Sequence, residues 1–251
     1  MRSLWFIVPA HGRFQLTAIC LAQLRRTCEN LRTEAGIDAT AVVIGDDFNL
    51  RTARMMGFGT ISRGNQFPSK KFNDGIQLAC DPQHNPRPAD FVVPFGSDDW
   101  IDWRLFTELP GPDTVYGFQR ISFVREDGRE LASKFLNYPG GSGIRIYPRT
   151  LMHQVGYRPG DEDRDRGCDT SILNNIEREC ERVRVVHRLS DPRQIVDWKS
   201  KGEQLNDWGS LERHHTESVG DPWTELDGFF PNESLQEMRA HYERQRGLVT
   251  A

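Results

Sequence analysis

The chain opens with a compact apolar run, Leu4 to Val8, and then a stretch, Phe14 to Thr33, in which apolar residues recur every three or four positions. A second apolar run, Ala39 to Gly45, ends on Asp46 and Asp47. Short continuous apolar runs read as buried strands and a 3.6-residue period as an amphipathic helix, so the first third alternates strand with helix. That rhythm predicts parallel βαβ units. Their right-handed crossovers bring the strand ends to one sheet edge, where such folds bind ligands. A strand at Gly59 to Ser62, a helix from Ser69 to Cys80 and a Pro-rich link from Asp81 to Pro88 follow. The run Asp90 to Phe95 then reads as a strand that opens into Gly96-Ser97-Asp98-Asp99.

The second half is less regular. Alternation from Thr114 to Leu136 around Glu126-Asp127-Gly128-Arg129 predicts a β-hairpin. Gly140, Gly141 and Gly143 precede a strand-like run, Ile144 to Tyr147, and a helix is expected over Asp169 to Glu181 before a strand over Arg182 to His187. Beyond Ser190 the chain is polar and Trp-containing, with a last helix near Glu233 to Arg246. The expected organisation is an α/β domain over residues 1–190 and a C-terminal extension, 191–251, that packs on the active site or closes over it.

Composition narrows the classes. With 37% hydrophobic and 27% charged residues, the 251-residue chain belongs with ordinary globular proteins. A net charge of -4 and a pI near 6.0 supply no global field for nucleic acid. Leu4 to Val8 is interrupted by Pro9, His11, Gly12 and Arg13, too soon for a signal sequence or a membrane span, so a cytoplasmic protein is expected. The five cysteines form no CxxC pair and are expected to be reduced; Cys20 and Cys28 share a helical stripe with Leu16, Leu24 and Leu31.

The acidic pair Asp98-Asp99 is the clearest candidate chemistry, because carboxylates at a strand end can hold a divalent cation. In an extended segment Asp98 shares a face with Gly96 while Asp99 points away, unless a turn has begun. The competing reading makes Ser97 or Asp98 the cap of a helix through Trp100 to Leu109, with Asp102 near its positive end.

Four segments in order, Phe6-Ile7-Val8-Pro9, Val43-Ile44-Gly45-Asp46-Asp47, Lys70-Lys71-Phe72-Asn73-Asp74-Gly75 and Phe91 to Asp99, resemble those of family-2-type glycosyltransferases over about residues 1 to 190. The resemblance implies a GT-A fold, a Rossmann-like α/β nucleotide-sugar-binding architecture with a mixed central sheet and a helical C-terminal extension. It implies that Pro9, His11, Arg13, Asp46 and Asp47 meet base and ribose. It implies that Lys70, Lys71, Asn73, Ser97 and Asp98 line the rest of the nucleotide. A turn of Asp46 and Asp47 with Asn49 is the bland alternative, as solvation is for the lysines.

The family's acidic motif commonly reads Asp-x-Asp-Asp, so Gly96 stands where a first carboxylate is expected. Asp98, Asp99 and, after the strand Val183 to Val186, His187 are the implied ligands of Mn²⁺ or Mg²⁺; a hydrogen-bonded structural histidine is the alternative. Asp169 is the candidate base that accepts the acceptor hydroxyl's proton, with Cys168 in place of the usual glutamate and an N-cap role as its rival. Asp161, Glu162, Asp163 and Asp165 offer further carboxylates nearby, read chiefly as solvated loop charge. Asp197-Trp198-Lys199-Ser200-Lys201 resembles the segment that closes over donor and metal, which brings Lys199 to the diphosphate. Trp100 and Trp103 read as packing rather than sugar platforms.

The implied activity is a metal-dependent, inverting transfer of a sugar from a nucleoside diphosphate, UDP favoured and GDP the alternative, to an acceptor hydroxyl. Compact size and the segment around Lys199 resemble phage-encoded enzymes, which implies a virion protein acceptor and a host-cytoplasm location; a glycan or small molecule fits the same residues. The rivals are a nucleotidyltransferase, for which no glycine-rich basic loop follows the first strand, and a non-catalytic nucleotide- or glycan-binding module.

Overall fold

The computed structural model describes residues 1–64, 66–127, 130–138, 140–164, 167–199 and 215–246. Gly128, Arg129, Asp165, Arg166, Ser200 and Lys201 lie outside them. The first half follows the expected rhythm: β1 (Arg2–Pro9), α1 (Phe14–Glu34), β2 (Ile37–Gly45), α2 (Asp47–Met55), β3 (Gly59–Ser62), α3 (Pro68–Cys80) and β4 (Phe91–Pro94). Then come β5 (Asp99–Ile101), a 3-10 turn (Trp103–Phe106), β6 (Thr114–Phe118), and the hairpin strands β7 (Arg120–Asp127) and β8 (Glu130–Asn137). The remainder is β9 (Arg145–Pro148), α4 (Arg149–Gln154), α5 (Cys168–Glu179), β10 (Arg184–Arg188), β11 (Ile195–Trp198), β12 (His215–Val219), α6 (Pro222–Glu225) and α7 (Asn232–Gln245).

A seven-stranded sheet runs β10-β6-β9-β4-β1-β2-β3. Its β4-β1-β2-β3 half is parallel, whereas β9 is antiparallel to both neighbours, giving the mixed sheet that was expected. Strand alternation separates two cores. Phe6, Val8, Ala41 and Val43 pack under Leu21, Leu24 and Leu31 of α1, while Ile7, Val42 and Ile44 meet Phe72 and Ile76 of α3 on the other face. Helix α3 lies so close that a Cβ on Gly75 would stand 2.4 Å from Ile7 Cγ2.

The second sheet, β12-β8-β7-β11-β5, joins the two halves of the sequence. Strand β11 is parallel to β7 and antiparallel to β5, so residues 195–198 are woven into the sheet. Trp100 and Trp198 meet edge to face at 5.0 Å, with Phe230, Met238 and Tyr242 of the C-terminal segment around them. Both indoles are buried, and Trp103 packs against the main core, so these rings serve packing as expected. Helix α7 is fixed to α1 where Ser234 Oγ donates to Gln23 Oε1 at 2.6 Å and accepts from Arg26. All five cysteines are free and buried, and no helix among the described residues is long and apolar enough to cross a membrane.

Candidate active site

Ser97 and Asp98 form a turn directly after β4. The Asp99 amide donates to Gly96 O at 3.4 Å, and the Gly96 amide donates to Asp99 Oδ2 at 3.0 Å. The chain therefore reverses before Asp99, and simple strand alternation, which would separate Asp98 from Asp99, does not apply. The helix expected from Trp100 to Leu109 is instead strand β5 and a short 3-10 turn, capped by Asp102 rather than by Ser97 or Asp98. Gly96 is required here: a Cβ would stand 2.5 Å from Asp99 Oδ2 and 3.0 Å from Asp98 Oδ1.

A third carboxylate arrives from a distant part of the chain. Asp197 of β11 is the direct partner of Asp99 across the β11–β5 ladder. Oxygens of Asp98, Asp99 and Asp197 all lie within 4.8 Å of one another. Asp197 thus brings a third carboxylate beside Asp98 and Asp99. The sequence held a signal for it, a carboxylate inside the apolar run Ile195-Val196-Asp197-Trp198, but pairing with β5 decides its place.

Two cations answer this charge. Arg13 Nη1 and Lys199 Nζ each donate to Asp98 Oδ2 at 2.8 Å, and Lys199 Nζ also stands 2.6 Å from Asp197 Oδ1. Burial alone would favour neutral acids, but the Lys199 ammonium and the Arg13 guanidinium hold the Asp98 carboxyl down at about 2. Asp99 goes the other way, pushed well up by burial and by the negative Asp197 and Asp98. Burial also raises Asp197, to about 6, against the pull of Lys199. Lys199 itself is held protonated: burial opposes its charge, and the three carboxylates outweigh it.

Arg13 owes its aim to an unusual backbone. It is a non-glycine residue at φ 45°, directly after Gly12 at φ 58°, and its Nη2 also donates to Ser97 Oγ at 3.2 Å. Left-handed conformations of this kind persist where the surroundings fix them, often at functional sites. The loop from Pro9 to Arg13 is held from three sides. Gly12 N donates to Asp46 Oδ2 at 3.2 Å, Asn49 Nδ2 donates to Gly12 O at 3.2 Å, and Lys71 Nζ donates to Ala10 O at 3.1 Å. Gly45 lets this loop approach, since a Cβ there would stand 2.6 Å from Ala10 O.

Several residues expected to touch nucleotide are therefore occupied by the protein itself. Asp46 caps α2 by accepting from Asn49 N at 3.1 Å, so the turn with Asn49 is the start of a helix. Burial raises its carboxyl, but the Asn49 and Gly12 amides win and hold it below the ordinary range. Lys71 is buried and spent on Ala10, and Asn73 exchanges two 2.7 Å hydrogen bonds with the Gly160 backbone, so neither presents a free polar group. His11 and Asp47 are exposed and Lys70 and Pro9 half-buried, while the Arg13 guanidinium is engaged by Asp98 and Ser97.

His187 is not among the clustered acids. It sits on β10, three strands from β4, where its Nδ1 would be 3.3 Å from a Cβ on Gly117 and 3.0 Å from one on Gly141. Two glycines thus make room for its ring beside Arg145, apart from the three clustered acids.

Asp169 lies in the first turn of α5, whose N-cap residue is Gly167 at φ 63°, so the capping role does not fall to Asp169. Its carboxylate meets Arg145 Nη1 at 3.2 Å, a guanidinium buried on β9 that the sequence reading overlooked. Cys168 faces the core and donates to Arg164 O. Asp161 hydrogen-bonds Asn175 and pairs with Arg164, Glu162 pairs with Arg158, and Asp163 is exposed. A cavity of about 270 Å³ is lined by Asp99 and Asp197 and also by Gly143, Cys168 and Asp169. The acid cluster and the candidate base thus open into one space.

No protein-family model and no curated protein sequence matches the chain. Solved structures do. Glucosyl-3-phosphoglycerate synthase of M. tuberculosis aligns with 84% of this chain and 77% of its own at 14% identity and a TM-score of 0.50. Its complex with Mg²⁺ and uridine diphosphate aligns with 84% and 76% at 12% identity and a TM-score of 0.52. The chain has the GT-A type of Rossmann-like fold. A CMP:2-keto-3-deoxy-manno-octonic acid synthetase complexed with CTP spans 98% of this chain and 100% of its own, at 11% identity and a TM-score of 0.43. The two alignments at TM-scores of 0.50 and 0.52 establish architecture alone; chemistry rests on the residues.

Proposed function

We propose that this protein is a glycosyltransferase that uses a nucleoside diphosphate sugar and a divalent cation. The observation that carries the reading is the single cavity shared by Asp99 and Asp197 of the acid cluster and by Asp169. The donor set fits a hard cation: three carboxylates converge, and the Lys199 ammonium already stands in as a positive charge among them. Asp98, Asp99 and Asp197 are the residues that would hold Mn²⁺ or Mg²⁺, which on this fold neutralises charge on the departing diphosphate. The proposed ligand set is these three acids, without His187.

On this reading the nucleoside lies against the Pro9 to Arg13 loop, with His11, Asp47 and Lys70 at the rim, and UDP is the favoured carrier, GDP the alternative. Asp46, Lys71 and Asn73 act by holding the loops. Asp169, steadied by Arg145, accepts the proton of the acceptor hydroxyl as that oxygen bonds to the anomeric carbon and the bond to diphosphate breaks, which inverts the centre. Glycosyl transfer is favoured over nucleotidyl transfer because Asp169 shares the cavity with the acid cluster and no glycine-rich basic loop follows β1. The acceptor is a hydroxyl on a protein, a virion protein included, a glycan or a small molecule. The enzyme is proposed to work in the cytoplasm, that of a host cell if it is phage-encoded.

The test is calorimetric titration of UDP and GDP with and without Mn²⁺ against wild type and Asp98→Ala, followed by assay of donor-sugar turnover. Metal-dependent binding lost in Asp98→Ala, with turnover, supports the reading. Binding without turnover of any sugar donor would identify a binding module, and pyrophosphate release from a nucleoside triphosphate would identify a nucleotidyltransferase.

A further inference from the structure

Lys199 contributes to the site in a way that a solvated or simply phosphate-facing lysine would not. Its ammonium stands 2.8 Å from Asp98 Oδ2 and 2.6 Å from Asp197 Oδ1, bridging two of the three converging carboxylates. A divalent cation takes oxygen ligands at roughly 2.0–2.6 Å, so an ion ligated by these oxygens competes with the ammonium for the same lone pairs. The charges point the same way. Three carboxylates face two cations, Arg13 and Lys199, and a divalent ion added beside both would leave the centre with excess positive charge.

The two cations differ in how they are held. Arg13 is gripped by its left-handed backbone and by both Asp98 and Ser97. The backbone of Lys199 is fixed, its amide donating to Val124 O at 2.9 Å and its carbonyl accepting from Tyr242 Oη at 2.7 Å. Its ammonium is held by the two carboxylates and lies 5.6 Å from the Phe123 ring centroid, with no planar fork to satisfy; a lysine can swing such a point charge between partners where a guanidinium fork cannot do so without losing geometry. Asp98 would keep Arg13 as a partner while Lys199 moves.

Resting on the nucleotide-sugar reading above, we propose that the Lys199 ammonium is a displaceable counter-cation: it blocks the divalent-ion position until a diphosphate draws it away, which makes donor and metal ion bind cooperatively. The lysine is then a positioning residue that sets binding order. Its loss should strengthen binding of the bare metal ion, the opposite of what loss of a ligand or a simple phosphate contact would do.

The experiment is Mn²⁺ titration followed by electron paramagnetic resonance, with and without UDP, on wild type, Lys199→Met and Lys199→Arg. Without UDP, Lys199→Met is expected to bind Mn²⁺ at least about tenfold more tightly than wild type, and Lys199→Arg no more tightly. UDP should tighten Mn²⁺ binding more in wild type than in Lys199→Met, because only wild type has an ammonium to remove. If the methionine variant fails to fold, Lys199→Gln, which is also uncharged, takes its place with the same expected result. Mn²⁺ affinity unchanged or weaker in the uncharged variant, while wild type still binds UDP with Mn²⁺, overturns the counter-cation role alone. Absence of any Mn²⁺ or UDP binding in wild type and variants overturns the nucleotide-sugar reading and this inference with it.

Discussion

Asp98→Asn preserves the shape of the side chain at the centre of the acid cluster and removes its charge. The wild-type carboxylate accepts from Arg13 and Lys199, each at 2.8 Å, in a nearly closed setting. Replacing a charge-assisted hydrogen bond by a neutral one costs about 1 kcal/mol each, so two give about 2 kcal/mol. The direction of the carboxyl's shift agrees: burial opposes its charge, yet the Lys199 ammonium and the Arg13 guanidinium hold it down at about 2, below its ordinary value. Because the folded value is depressed, this stability is present above the unfolded value and is lost as pH falls through the folded one. About half should be gone by pH 3. Urea unfolding of wild type and Asp98→Asn from pH 7 to pH 3 measures it. A gap of about 2 kcal/mol at pH 7 that narrows on acidification is expected. A gap that is absent at pH 7, or that keeps its full size at pH 3, would refute the assignment of Arg13 and Lys199 as partners of an ionised Asp98.

Three further predictions follow from the same geometry. Mn²⁺ affinity should fall on acidification, because burial and mutual repulsion raise both Asp99 and Asp197 and the cation must displace their protons; Asp197→Asn should remove the part of the dependence near pH 6 and leave the part due to Asp99 in titrations across pH 5 to 8. Asp169→Asn should leave UDP affinity within about twofold while lowering sugar transfer by about 10²- to 10⁴-fold; equal losses in binding and turnover would place Asp169 with the nucleotide. Gly75→Ala should destabilise the fold by about 1–3 kcal/mol in denaturant unfolding, because the added methyl meets Ile7 and Ile44 at 2.4 and 2.8 Å.

The linear pattern reached far into the first half of the chain. Periodicity placed β1, α1, β2, β3, α3 and β4 within a few residues, because each buries a local face whose period is written in consecutive side chains. Asp98 and Asp99 were legible for a similar reason: they follow an apolar strand in a parallel unit, and strand ends of that kind share one edge. Helix α2 was not legible, since its nine residues begin directly at the Asp46 cap and read equally well as a turn. Asp46, Lys71 and Asn73 were the right residue types near the right loops, but whether a polar group faces ligand or protein depends on what packs against it. Here Gly12, Ala10 and Gly160 take those groups.

The composition of the acid centre belongs to tertiary structure. Asp197 lies about a hundred residues from Asp99, and only the antiparallel pairing of β11 with β5 sets them opposite one another. Arg13 reaches Asp98 because Gly12 and Arg13 adopt left-handed backbone conformations, and Arg145 meets Asp169 because β9 runs antiparallel within the main sheet. His187 lies within β10, one residue before its end, and β10 is at the far edge of that sheet. The sequence by itself determined the βαβ scaffold and the first two acids, because local burial periods and strand-end placement are short-range properties. The third acid, the two balancing cations and the partner of the candidate base were decided by long-range strand order and loop conformation, which no local period encodes.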